Sequence, residues 1–389
     1  MPDKHVSRRS YLKFAGGAAA SATLAGCTGD NQDGGGTTTT SGGNGGGGKP
    51  SGDLQVTITQ GQMPSTLDPQ NHRSTPTDNV VLQAYEGLLA RDASGSITKR
   101  LATKYERVEK GTVKFTIRDG ITFHNGDKLT PEDVAFSVNR IVQSDVGGLK
   151  SPQSDQLAGV TGAEVVDGER AVRVKSEGIN PIVFAQFASY CDVMQKQWVE
   201  KHDKNYIAKN MNGTGPFEMK NYQEGVKVVF DRFGDYWRDP ADISQLTFNA
   251  AKESSTRVNQ LINGETDLIV NVPPQDAGRV KKSKGVSLSA VPSTRIIYNA
   301  MRHDAEPFSS PKFRRAMNLA VDLQSIIKNV LSGFADKTGQ PTLEGFTGYN
   351  DSLSTYPKNK QKAQKLVEES GHAGVSITLH TPVGRYLKD

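Results

Sequence analysis

Residues 112–141, TVKFTIRDGITFHNGDKLTPEDVAFSVNRI, constrain the fold more than any other stretch of this sequence. Val113, Phe115 and Ile117 alternate with Lys114, Thr116 and Arg118, the period of a strand with one buried face. Asp119-Gly120 and Asn125-Gly126-Asp127 are tight-turn sequences. Thr130 is suited to cap a helix, Pro131 to its first turn, and Glu132 and Asp133 to its positive end. Val134, Val138, Ile141 and Val142 then form an apolar stripe. The segment predicts strand, turn, short strand, turn, helix, and nothing in it is catalytic chemistry.

The N-terminal residues read as an address. Ser7-Arg8-Arg9-Ser10-Tyr11-Leu12-Lys13 resembles a twin-arginine export signal. The Ala/Gly-rich residues 14–26 are too short to span a bilayer and fit a signal core. Leu24-Ala25-Gly26-Cys27 resembles a lipobox, which implies lipidation of Cys27 and a lipid anchor on the outer face of the cytoplasmic membrane. Residues 28–52, rich in Gly and Thr, cannot bury apolar surface and read as a flexible linker with a reach of roughly 25–30 Å.

The remainder, 53–389, is long enough for two lobes, each with its own core. The net charge of +5 is mild, and Lys281-Lys282-Ser283-Lys284 reads as a solvated loop, so no nucleic-acid partner is expected. With Cys27 lipidated, Cys191 has no partner and reads as a small buried hydrophobe. There is no Gly-x-Ser-x-Gly, no phosphate-binding Gly-rich loop and no His-x-x-x-His, and the seven His are scattered. His202-Asp203 and His303-Asp304 are isolated pairs. An enzyme, a cofactor and a metal site are therefore not expected.

Further elements follow along the body. A strand is expected at 54–59, a helix at 79–89, and a hairpin from 163–166 and 171–174 around Asp167-Gly168. Helices are expected at 182–188, 255–263, 312–321, 323–331 and 358–370, and strands at 226–230, 295–299 and 375–380.

Several motifs accompany these elements in a fixed order: Thr66-Leu67-Asp68-Pro69, Tyr85-Glu86-Gly87-Leu88, the Phe-His-Asn-Gly and Leu-Thr-Pro-Glu-Asp-Val runs of 123–134, Gly213-Thr214-Gly215-Pro216-Phe217, Tyr236-Trp237, Gly264-Glu265-x-Asp267, and Pro307-Phe308 with Phe313-Arg314-Arg315-Ala316. Together they resemble the oligopeptide/dipeptide/nickel-binding family (family 5) of ABC-transporter substrate-binding lipoproteins. Ser310 stands where that family usually has Asp, and Ser caps a helix comparably.

The resemblance implies an α/β, two-lobed periplasmic-binding-protein-like fold of the large class with an extra subdomain. It implies a signal at 1–27, a linker at 28–52, a first lobe at 53–274 with an inserted subdomain at about 90–205, and a second lobe at 275–389. Family members continue well beyond the position of Asp389, so the second lobe is expected to be incomplete, truncated at its C-terminal end. The implied function is capture of a peptide or similar small polar solute in an interlobe cleft and its delivery to ABC permease subunits, by a monomer. Gln62, Met63 and Pro64 after the first strand, Thr214 and Gly215, and Tyr298 and Asn299 are the implied ligand contacts. A nickel or metal-complex binder, a surface receptor or chaperone without a permease, and a non-functional fragment are the alternatives.

Overall fold

The computed structural model describes residues 53–381 apart from 93, 145, 292, 294 and 347. The export signal, Cys27 and the linker therefore lie outside the described residues. The backbone divides into two compact units. One takes the residues up to Ile58 together with Gln62–Ala250; the other takes Thr59–Gly61 and the residues from Ala251 onward.

The first unit carries a two-stranded ribbon, β2 (Leu89–Arg91) antiparallel to β3 (Ile97–Lys99), and two larger sheets. Strands β4 (Ala102–Glu109), β5 (Thr112–Ile117), β6 (Val160–Val165) and β7 (Ala171–Ser176) form a four-stranded sheet in the order β4-β5-β7-β6. Its strands pair antiparallel throughout: Phe115 stands opposite Tyr105 on one side and Val172 on the other. The alternation read from the sequence holds, with Val113, Phe115 and Ile117 buried and Lys114 and Thr116 half-exposed. β6 and β7 are the expected hairpin. The second sheet places β1 (Leu54–Gln60) beside β10 (Ile243–Ala250), then β9 (Lys227–Arg232) and β8 (Phe217–Gln223).

One helix serves both sheets. Pro131–Val142 opens with a complete capping box: the Thr130 hydroxyl accepts from the Asp133 N–H, and the Asp133 carboxylate accepts from the Thr130 N–H. Val134, Val138 and Ile141 enter the core with Phe115, Val172 and Val174, while Phe136 enters a second core with Phe217, Phe230 and Phe248. The family-like segment thus forms the packing element between two cores. The short strand expected between its turns is reduced to one bridge, Thr122 with Lys128.

The helix expected at 79–89 instead spans Thr75–Val81. It stops because the following carbonyls are committed elsewhere: Gln83 O accepts from the Phe217 N–H and Ala84 O from the Gly215 N–H. Cys191 is buried as expected, and burial pushes its thiol pKa up.

In the second unit, the helix Ser254–Ile262 packs Val258 and Leu261 against Val280, and the helices Pro311–Ala320 and Lys360–Glu369 pack Ala316 and Leu319 against Ala363. Ser310 caps the helix Pro311–Ala320, its hydroxyl accepting from the Phe313 N–H at 3.4 Å. The strands expected at 295–299 and 375–380 do not form. Ladder hydrogen bonds need a second strand, and among the described residues none pairs with either segment. Ile297 and Leu379 stand 75% and 72% exposed.

Candidate functional site

The motifs converge inside the first unit on one carboxylate, Glu86. Its side chain is buried and accepts four donors. Arg100 Nη1 lies 3.0 Å away and the Tyr236 hydroxyl 2.9 Å, both at Oε1; Thr214 Oγ1 at 3.1 Å and Trp237 Nε1 at 2.8 Å reach Oε2. The Tyr-Glu-Gly-Leu, Gly-Thr-Gly-Pro and Tyr-Trp motifs are thereby tied together over sequence separations of 128 to 151 residues. Burial, followed by the Glu86 charge, pushes the Tyr236 phenol up to about 12, so at neutral pH it is a donor to that carboxylate.

The glycines of the second motif permit a close approach. A Cβ on Gly213 would stand 1.9 Å from Ala84 O, and one on Gly215 would stand 2.7 Å from the Ala84 carbonyl carbon. His124 clamps the same loop. Its Nδ1 accepts from the Gly213 N–H at 3.3 Å, which places the neutral ring's proton on Nε2, and Nε2 donates to Gly215 O at 3.0 Å. The ring stands edge-on to Phe233, 4.8 Å between centroids. Burial pushes the His124 pKa down to about 4. Asn212, formally a glycosylation acceptor, is buried with its amide donating to Gln195 Oε1 at 2.7 Å.

The seven residues singled out as ligand contacts occupy three environments. Gln62 is exposed, Met63 packs partly buried against the core of Leu67 and Phe217, and Pro64 is buried with its carbonyl accepting from the Tyr222 hydroxyl at 3.1 Å. Thr214 is fully buried, and Gly215 is buried with both its N–H and its carbonyl engaged. Tyr298 and Asn299 belong to the second unit and are exposed, Tyr298 by 74%. Two surface cavities of about 400 Å³ are lined by Gly159 with residues 176–182, and by side chains including Met317, Lys360 and Val367; none of the seven lines either.

Sequence reasoning passed over Glu86 as a hub, Arg100, and the buried pair of Asp68 with Arg140. Arg140 is 1% exposed and reaches Asp68 through Nη1 at 3.0 Å and Nη2 at 2.6 Å. Little in the sequence signals Arg140, which lies off the apolar stripe of Val134, Val138 and Ile141; its burial follows from the fold, which sets it against Met194. Among the described residues no group of three or more His, Cys, Asp or Glu side chains could hold a metal ion. No described helix is long and apolar enough to cross a membrane.

Residues 96–386 match the family described as bacterial extracellular solute-binding proteins, family 5 Middle. The glutathione-binding protein GsiB of Salmonella typhi is 26% identical over 328 residues, which is 83% of this chain and 63% of GsiB. The protein thus spans less than two thirds of the length of that relative. Among solved structures, the periplasmic binding protein DppA from Helicobacter pylori, in complex with the peptide STSA, superposes with a TM-score of 0.73. It is 21% identical, with 82% of this chain and 66% of DppA covered. The binding protein AgaA from A.tumefacien R10, in complex with agropinic acid, gives a TM-score of 0.69 at 26% identity, covering 82% of this chain and 64% of AgaA. The fold is the mixed α/β fold of periplasmic binding proteins.

Proposed function

Because the chain belongs to the bacterial extracellular solute-binding proteins of family 5, a family of binding proteins and not of enzymes, we propose that it captures a peptide or a similar small polar solute outside the cell and hands it to an ABC permease. The observation that carries this reading is the Glu86 hub, which joins motifs far apart in sequence into the frame of that fold. GsiB binds glutathione, itself a short peptide, and AgaA holds a small polar acid. Both support a small polar solute. Gln62, Met63, Pro64, Thr214, Gly215, Tyr298 and Asn299 stand as the proposed contacts of the solute; of these, Gln62, Tyr298 and Asn299 are exposed. Ligand binding to the folded state raises melting temperature by mass action. Short peptides and glutathione at millimolar concentration are expected to raise the melting temperature of the purified protein. No shift with any of them would overturn the reading.

Delivery to the membrane completes the proposal. Twin-arginine export through Arg8 and Arg9, followed by lipidation at Cys27 and the 28–52 tether, holds the body at the outer face of the cytoplasmic membrane as a monomer. Replacing Arg8 and Arg9 by Lys is expected to abolish surface display; unchanged display would contradict the export route.

A further inference from the structure

The sequence contains two Asn-x-Ser/Thr triplets, Asn212-Gly213-Thr214 and Asn350-Asp351-Ser352. Such a triplet accepts a glycan on its asparagine amide in proteins outside the cell, provided that it lies on the surface. The fold treats the two in opposite ways. Asn212 is 2% exposed; its Nδ2 donates to Gln195 Oε1 at 2.7 Å, and its Oδ1 accepts from the Asn125 N–H at 3.1 Å. Thr214 is fully buried against Glu86. No glycan can reach that amide in the folded protein.

Asn350, Asp351 and Ser352 are all exposed, in the second unit. Asn350 Oδ1 accepts from the Ser352 N–H at 3.0 Å and from the Ser352 hydroxyl at 2.7 Å. A backbone N–H can only donate, so the atom facing it is the amide oxygen, and the amide nitrogen is turned away from the chain. The backbone of Asn350 is held as well. Gln340 Oε1 accepts from its N–H at 3.0 Å, and Gln340 Nε2 donates to its carbonyl at 2.6 Å. The Leu353 N–H closes the turn on the same carbonyl at 3.2 Å. Asn350 Nδ2 has no acceptor among the described residues. Every other polar atom of Asn350 is engaged, and the one left over is the atom that would carry a sugar.

The surroundings suit a glycan. Phe346, Tyr349, Leu353 and Tyr356, all within six positions of Asn350, are exposed large apolar side chains. Apolar surface of this kind calls for a cover, and the C–H faces of a sugar chain rooted at Asn350 supply one.

We propose that Asn350 is a site of N-linked glycosylation. The co-reactant is a polyprenyl-phosphate-linked glycan, and the catalyst is a transferase of the membrane whose active site faces outward. A bond forms between Asn350 Nδ2 and the anomeric carbon of the glycan. The bond from that carbon to the phosphate oxygen breaks, and the lipid phosphate leaves with the electron pair. One Nδ2 proton passes to a base of the transferase. The proposal is independent of which solute is captured and needs only that the protein stands outside the cell.

The test is peptide mass analysis of the full protein, purified from the cells that make it and digested with trypsin. Cleavage after Lys337 and Lys358 releases residues 338–358, with Asn350 as their one asparagine, and cleavage after Lys209 and Lys220 releases residues 210–220 with Asn212. The 338–358 peptide is expected to be heavier by a glycan and to shed sugar fragments on collision, while the 210–220 peptide keeps its bare mass. Asn350→Gln and Ser352→Ala are each expected to abolish the modification, and Ser352→Thr to retain it. All three lie on an exposed turn, so their melts should match the wild type. A bare 338–358 peptide in the wild type, or a glycan that survives Ser352→Ala, would overturn the site.

Discussion

Asp68 and Arg140, 72 residues apart in sequence, form a two-pronged ion pair in the interior of the first unit. Gln70 Oε1 accepts from the same Arg140 Nη1 at 3.1 Å, and Gln70 Nε2 reaches the Ser137 carbonyl at 3.1 Å, so the Thr-Leu-Asp-Pro turn is docked onto the helix Pro131–Val142. The value of such a pair lies in its completeness. Arg140→Met leaves the buried Asp68 carboxylate without its counter-charge, and is expected to cost about 3–5 kcal/mol in urea unfolding. Replacing both partners with apolar residues should recover most of that loss. If Arg140→Met alone is neutral, the pair does not fix this junction.

Gly213 makes a second prediction with an internal control. Gly213→Ala drives a methyl group into Ala84 O and is expected to prevent folding of the first unit. Gly168, at the β6–β7 turn with φ of +71° and open space around it, should tolerate Ala at a cost of about 1 kcal/mol. Circular dichroism melts of the two variants distinguish a packing demand from a purely conformational one.

Glu86→Leu removes the acceptor of four donors at once, and the stranded Arg100, Thr214, Tyr236 and Trp237 groups are expected to cost together at least about 3 kcal/mol. The indole then moves toward water, which a red shift of Trp fluorescence reports. An unchanged emission maximum and an unchanged melt would show that the hub does not hold these motifs together.

His124 gives the first unit an acid sensitivity. The folded pKa of about 4 lies below the ordinary value of 6.5, so between these values the unfolded state binds more protons and stability falls as pH falls. The loss is up to about 1.4 kcal/mol per pH unit within that window. Protonation puts a hydrogen on Nδ1 against the donating Gly213 N–H. His124→Asn is expected to flatten stability between pH 6.5 and 4, as read by urea midpoints.

Strand β5, the capped helix Pro131–Val142 and the β6–β7 hairpin were legible because period, turn and cap residues all sit within a few positions of one another. Ser310 was legible for the same reason. The helix limit near Val81 was not, because it depends on carbonyls of Gln83 and Ala84 being taken by a loop more than 130 residues later. Residues 295–299 have the β-branched and aromatic composition of a strand, yet a strand exists only with its partner. Motif order identified the family, but it did not reveal that Thr214, implied as a ligand contact, is a fully buried donor to Glu86.

The most direct test of solute capture is equilibrium dialysis of the purified protein against a labelled mixture of short peptides, followed by mass analysis of what is retained. The account predicts that one peptide is held per molecule and recovered with its mass unchanged. Recovery of shortened peptides, or retention no greater than that of a heat-denatured control, would contradict it.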